Sequence, residues 1–267
     1  MSGLTSYTFA HAEYYETISR YQGTSYFVDR VRPLLPEDWS LDRYQIWLAT
    51  SYKPADDLLS EQGFKIHISG TPATAMELID LVVPACVEEQ TTFKLVADPA
   101  LLSMVCSKSY HRGGSGKFFT IYPPDMNTFK RLIETLHQRT QHLDGAYILS
   151  DRRYKDSKVV FYRYGGILPH NSLKADGTKT AIFMRPDGQG IYVDDRNPFY
   201  SLPDWVEEPF PKAEEEDDSS LLNNRYEVRD VLGFSNSGGV YKAWDTQEER
   251  EVVIKEARPN TAPWYFD

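Results

Sequence analysis

Apolar and polar positions alternate over Gly63–Ser69 (GFKIHIS), a period of two that predicts a strand with Ile66 and Ile68 toward a core. Lys65 and His67 then share the other face. The period changes over Thr74–Glu88, where Met76, Ile79, Val82, Val83 and Cys86 fall at helical spacing. Phe93–Ala97 and Lys117–Tyr122 read as short strands. The clearest helix is Asn127–Leu143, with Phe129, Leu132, Ile133, Leu136, Thr140 and Leu143 in one stripe and Pro123-Pro124-Asp125 at its start. Ala146–Leu149, Val159–Tyr164 and Ile191–Asp194 are further predicted strands, while the first 45 residues show no clear period. Strands and helices mix without a regular βαβ repeat, which predicts an α+β fold.

The chain has 267 residues, room for one large or two ordinary domains, with 41% hydrophobic and 25% charged residues. Its net charge of -10 is mostly local, because Glu207–Asp218 holds seven acids against one lysine. The remaining 32 acids against 28 bases leave a nearly neutral body that can still carry a cationic cleft. No basic stripe points to nucleic acid. No apolar run approaches the roughly 18 residues of a membrane span, and Met1–Thr8 lacks a signal-peptide layout. A cytoplasmic chain without a membrane partner is therefore expected. Cys86 and Cys106 form no C-x-x-C, and no H-E-x-x-H occurs, so no metal is expected. The acidic stretch divides the sequence into a body over 1–206, a linker over 207–224 and a C-terminal piece over 225–267.

Several segments could carry chemistry. Lys65 beside His67 suits an anion, or else a solvated edge strand. Lys94, alone in Phe93-Lys94-Leu95, says little by itself, since lysines are mostly exposed. Arg112-Gly-Gly-Ser-Gly-Lys117 has small residues between two cations, as a phosphate cradle does, or as a flexible loop does. It is not a Walker A loop, because His111 and Phe118 stand where Gly and Ser or Thr belong. Arg163, between Tyr162 and Tyr164, could grip phosphate through its fork, or stack on the rings and pair with a carboxylate. Leu232–Tyr241, followed by Val252-Val253-Ile254-Lys255, looks like a protein-kinase glycine-rich loop and its ATP-anchoring lysine, with Gly233 and Gly238 in the loop. Ser235 stands in place of the second glycine. Only twelve residues follow Lys255, so neither D-F-G nor a catalytic-loop aspartate fits, and no phosphoryl transfer by this chain is expected.

Together, GFKIHIS (63–69), FKL (93–95), RGGSGKFFTIYPPD (112–125), YILSDRRY (147–154), VVFYRYGGI (159–167) and DDRNPFYSLPDWVEEPFP (194–211) resemble the N-terminal region of a class III lanthipeptide synthetase, and Arg225–Pro259 resembles the start of its kinase. Such enzymes join a phosphoserine/phosphothreonine lyase, a kinase and a cyclase-like domain. The body is more distantly similar to bacterial effector phosphothreonine lyases, which implies a twisted mixed sheet flanked by helices, followed here by a short β-rich kinase N-lobe fragment. The resemblance implies β-elimination of phosphate from phosphoserine or phosphothreonine in a precursor peptide, giving dehydroalanine or dehydrobutyrine. Lys94 would be the base, His67 the acid and Lys65 the enolate stabiliser. Arg112, Lys117, Tyr122 and Arg163 would hold phosphate. No cofactor is implied for the lyase, whereas ATP and Mg2+ would serve the kinase of a longer protein through Gly233, Gly238 and Lys255. The implied partners are the precursor peptide, with its leader and phosphorylated core, and the kinase and cyclase domains. The competing reading is a non-catalytic phosphopeptide or leader-binding module serving the kinase.

Overall fold

The structure, a computed structural model, describes residues 11, 13–14, 16, 18–168, 171–173, 177, 179–188, 190–194, 198–211 and 221–261. Seven strands form the main sheet: β1 (Ser40–Tyr44), β2 (Trp47–Ser51), β3 (Gln62–Ser69), β4 (Phe93–Val96), β5 (Lys117–Ile121), β6 (Arg152–Arg153) and β7 (Val160–Gly166). Their spatial order is β1-β2-β4-β5-β3-β7-β6. Every pairing in it is antiparallel, so the sheet is not the mixed one that the resemblance implied, although the α+β class stands. The helices are α1 (Tyr26–Val31), α2 (Lys53–Asp56), α3 (Ala75–Glu88), α4 (Pro99–Cys106) and α5 (Met126–Thr140).

Register explains how one sheet builds both core and site. Leu48, Leu95, Phe119, Ile68 and Val160 lie opposite one another across five strands, and each is at most 1% exposed. The neighbouring row points to the opposite face. Helix α5 packs on β3, β7 and α3, with the Phe129 ring against Phe64 and Tyr162. Its predicted stripe from Phe129 to Leu143 is buried throughout. Its start is fixed by Asp125, whose carboxylate accepts from the Asn127 and Thr128 amides at 2.8 and 2.9 Å. Asp98 caps α4 by accepting from Leu101 N at 3.0 Å and pairs with Arg43 at 3.6 Å.

Other expectations needed correction. Ala146–Leu149 is irregular, because Gly145 and Ala146 lie against Ser69 and Gly116, with Ser69 Oγ donating to the Ala146 carbonyl. Strands β1 and β2 and helix α4 lacked a readable period. Glu207–Pro211, expected in the linker, packs on the body: Glu208 accepts from Arg152, Tyr162 and Tyr200, and the Phe210 ring meets Phe129 and Tyr154. Residues 212–220, the rest of the acidic run, lie outside the described residues.

After β7 comes a three-stranded antiparallel sheet of β8 (Asn171–Leu173), β9 (Lys179–Met184) and β10 (Ile191–Val193). The C-terminal piece is a four-stranded antiparallel sheet of β11 (Leu221–Leu222), β12 (Tyr226–Ser235), β13 (Gly238–Asp245) and β14 (Arg250–Lys255). Among the described residues no helix is long and apolar enough to cross a membrane.

Candidate active site

The functional row of the main sheet runs Lys94, Thr120, His67, since Lys94 and His67 both lie opposite Thr120. Two residues along the same face, Lys65 lies opposite Arg163. A cavity of about 340 Å3 opens over these groups, and Lys117, Tyr122 and Asp194 also line it. That volume suits a phosphorylated amino-acid side chain with part of its backbone. The alternation that predicted a shared face for Lys65 and His67 is therefore observed, and His67 is only 4% exposed, which excludes a solvated edge.

Each cation has a defined setting. Lys65 Nζ donates to the Gly166 carbonyl at 2.8 Å. Glycine at 165 permits this, because a Cβ there would stand 2.8 Å from Lys65 Nζ. The Lys94 ammonium sits over the Trp47 ring, 4.5 Å from its centroid. Arg163 donates from Nε to the Tyr164 carbonyl at 3.3 Å and from Nη2 to Asp194 at 3.0 Å. The carboxylate-paired reading of this arginine is thus realised, within the cavity.

Asp151 organises the site, and sequence reasoning assigned it no role. Its carboxylate, 2% exposed, accepts a hydrogen bond from His67 Nδ1–H and pairs with Lys117 Nζ at 3.0 Å. Ser150 Oγ donates to Asp151 at 2.7 Å and lies 3.1 Å from the Gly113 carbonyl, which ties the glycine-rich loop to the same carboxylate. Burial alone would raise Asp151, but His67 and Lys117 hold it well below the usual carboxylate range. Burial pushes the His67 imidazolium well down; Asp151 opposes that shift, while Lys117 and Lys65 add to it. With Nδ1 committed to Asp151, Nε2 is the ring nitrogen left for the cavity.

Arg112 does not join this set. Its guanidinium lies 4.4 Å over the Phe234 ring of the C-terminal sheet. The reason is the docking of the β12–β13 hairpin on the preceding loop: Asn236 N donates to Lys108 O at 3.1 Å, and its Nδ2 donates to Ser107 O at 2.8 Å. Arg258 braces that hairpin, donating to Asn236 O and to Tyr147 O, both at 2.5 Å. Gly233 and Gly238 flank the hairpin tip on β12 and β13, and Lys255, opposite Val240, is exposed. Among the described residues no cluster of three or more His, Cys, Asp or Glu could hold a metal ion.

Residues 28–221 match the family described as RamC, N-terminal domain. The chain belongs to this family. It is 38% identical over 229 residues to the probable SapB synthase of Streptomyces coelicolor, an alignment covering 85% of this chain and 24% of that protein. The chain thus spans about a quarter of that relative's length. Among solved structures it is similar to the phosphothreonine lyase OspF of Shigella flexneri, with 16% identity and a TM-score of 0.41 over 51% of this chain and 75% of that one. It is also similar to the Salmonella plasmid virulence C protein, with 18% identity and a TM-score of 0.40 over 54% and 70%. RamC-family membership agrees with the resemblance to class III lanthipeptide synthetases read from the sequence.

Proposed function

We propose that this RamC-family chain is a lyase that β-eliminates phosphate from phosphoserine or phosphothreonine in a precursor peptide. The observation that carries this reading is Lys94 and His67 flanking Thr120 in one row beneath a cavity rich in cations. Neutral Lys94 takes the Cα proton, the C–H electron pair becomes the Cα–Cβ double bond, and the Cβ–O bond breaks. Phosphate leaves with that bond's electrons and receives a proton from His67 Nε2. Dehydroalanine or dehydrobutyrine remains, and both side chains return to their starting protonation through solvent.

Lys65 faces the same cavity as a fixed positive charge for the developing enolate. Lys117, Tyr122 and Arg163 receive the phosphate. A phosphate dianion beside Nε2 counters the lowering influence of Lys65 and Lys117, so substrate binding itself favours the protonated imidazole that the leaving group needs. Asp151 holds the ring and balances its charge.

In the longer protein, a kinase using ATP and Mg2+ would supply the phosphorylated residue and a cyclase would use the dehydro product. Gly233, Gly238 and exposed Lys255 would hold ATP phosphates there. A Cβ at Gly233 would meet nothing within 4 Å, so its backbone is open to a ligand.

The alternative is a phosphopeptide-binding module without chemistry. A binder has use for Arg163 and Lys117 but none for a buried His67–Asp151 couple facing Lys94. Incubating the chain with a synthetic phosphoserine peptide, without ATP, separates the two. Release of phosphate with a dehydroalanine product supports the lyase; peptide retained intact with no phosphate released supports the binder.

A further inference from the structure

The row that presents Lys94 and His67 has one side chain between them. Thr120 on β5 lies opposite Lys94 on one flank and opposite His67 on the other. It lines the cavity and is 5% exposed. Directly opposed Cβ atoms in neighbouring strands stand about 5 Å apart, so base and acid spring from positions about 10 Å apart with Thr120 midway. Elimination requires the base at Cα and the acid at the oxygen on the adjacent Cβ of the same residue. The reacting Cα–Cβ bond must therefore lie above Thr120.

The two possible substrates differ at that bond alone. Phosphothreonine carries a methyl on the reacting Cβ where phosphoserine carries hydrogen. Threonine is β-branched, and the few χ1 rotamers open to it in a strand fix where its own methyl and hydroxyl stand. The short Thr120 side chain lies between the Lys94 and His67 positions on the cavity wall, which makes it the surface beneath the reacting carbon.

We infer that Thr120 sets the selectivity between phosphoserine and phosphothreonine, its methyl being the group that the added substrate methyl must pack against. This rests on the elimination reading and goes beyond it by assigning substrate choice to a residue that transfers no proton. Packing of one methyl is worth about tenfold at the low end of what enzyme pockets achieve.

The experiment uses two peptides, identical except for phosphoserine or phosphothreonine, and the ratio of their kcat/KM values by phosphate release. A ratio cancels general losses of folded protein. Thr120→Ser removes the methyl and is expected to shift the ratio toward phosphothreonine by about tenfold. Thr120→Val keeps the shape without the hydroxyl and is expected to leave the ratio within about twofold, while Thr120→Ile moves it toward phosphoserine. The same ratio read as binding affinities in a Lys94→Ala background is expected to move in the same directions. An unchanged ratio in both Thr120→Ser and Thr120→Ile overturns the inference with the lyase reading intact. Absence of phosphate release from either peptide by the wild type sinks the lyase reading, and the inference falls with it.

Discussion

The two large sheets of this chain hold their apolar residues in opposite ways. In the seven-stranded sheet Ile66, Ile68, Leu95 and Phe119 are fully buried, and α5 packs across β3 and β7. In the four-stranded sheet Val231, Leu232, Phe234 and Val253 are 45–65% exposed. The first sheet closes its own core, so its polar row can be spent on chemistry. The second is held by strand pairing and by the Asn236 and Arg258 contacts to the body. The closed core gives the cavity-lining row of the first sheet a packed floor.

The sharpest way to break this contrast is to remove a lysine from each sheet. Lys94→Ala is expected to lower phosphate release by about a thousandfold or more, since general-base catalysis contributes roughly a hundred- to ten-thousandfold. Exchange of the Cα proton with deuterated solvent is expected to vanish with it. Lys255→Ala, on the exposed edge strand β14, is expected to leave release within about twofold. Comparable loss in both variants would mean that the sheets do not divide the work.

Next in size is the buried anion of the first sheet. Asp151→Asn removes the buried carboxylate that His67 and Lys117 share, and breaking a buried pair costs about 3–5 kcal/mol. Unfolding by urea is expected to show a loss near the lower figure, because Lys117 can still reach the cavity. The partially exposed Arg225–Asp245 pair of the second sheet, at 2.5 Å, is expected to show a smaller loss in the matching Asp245→Asn variant.

Smaller still is the difference between the two arginines that the sequence treated alike. Arg163 lines the cavity, so Arg163→Lys is expected to weaken phosphopeptide binding by roughly ten- to a hundredfold, because lysine keeps the charge and loses the fork. Arg112 lies over Phe234, so Arg112→Lys is expected to change that affinity by less than about threefold. Titrations in a Lys94→Ala background compare them without turnover. Equal losses would restore Arg112 to the phosphate site.

How far the sequence reached follows from the same contrast. Period-two and helical patterns were readable where one face meets a core, as in β3 and α5, and there the predicted faces match those observed. They failed in β1, the sheet edge, where Leu41 stands alone between Ser40 and Asp42, and in β2, where Trp47, Leu48 and Ala49 follow one another without apolar-polar alternation. Lys65, His67 and Lys94 were legible through motif strings. Asp151 was not, because it lies 84 residues from His67, and its neighbours Arg152 and Arg153 make it look like part of a solvated turn. Arg112 lies over Phe234 and not in the cavity lining because a hairpin more than a hundred residues later docks near it, and no local pattern encodes that contact.

The smallest expected effect concerns acid sensitivity, which the comparison assigns to the first sheet. His67 is held neutral by burial, well below its ordinary value of 6.5. Between the folded and unfolded values the unfolded chain binds the extra proton, so stability rises with pH and is lost as pH falls below about 6.5. From about pH 7 to about pH 5.5 this amounts to about 1 kcal/mol for one such histidine. Asp245 in the second sheet is also pulled down, to about 2, by its hydrogen bond with Arg225. Its contribution is present above the unfolded carboxylate value and fades only as pH falls toward about 2, so it is silent over the same interval. Urea unfolding at the two pH values is therefore expected to show a slope in the wild type and in Asp245→Asn. In His67→Asn most of that slope should disappear. A slope that survives in His67→Asn and disappears in Asp245→Asn would place the acid-sensitive element in the C-terminal sheet.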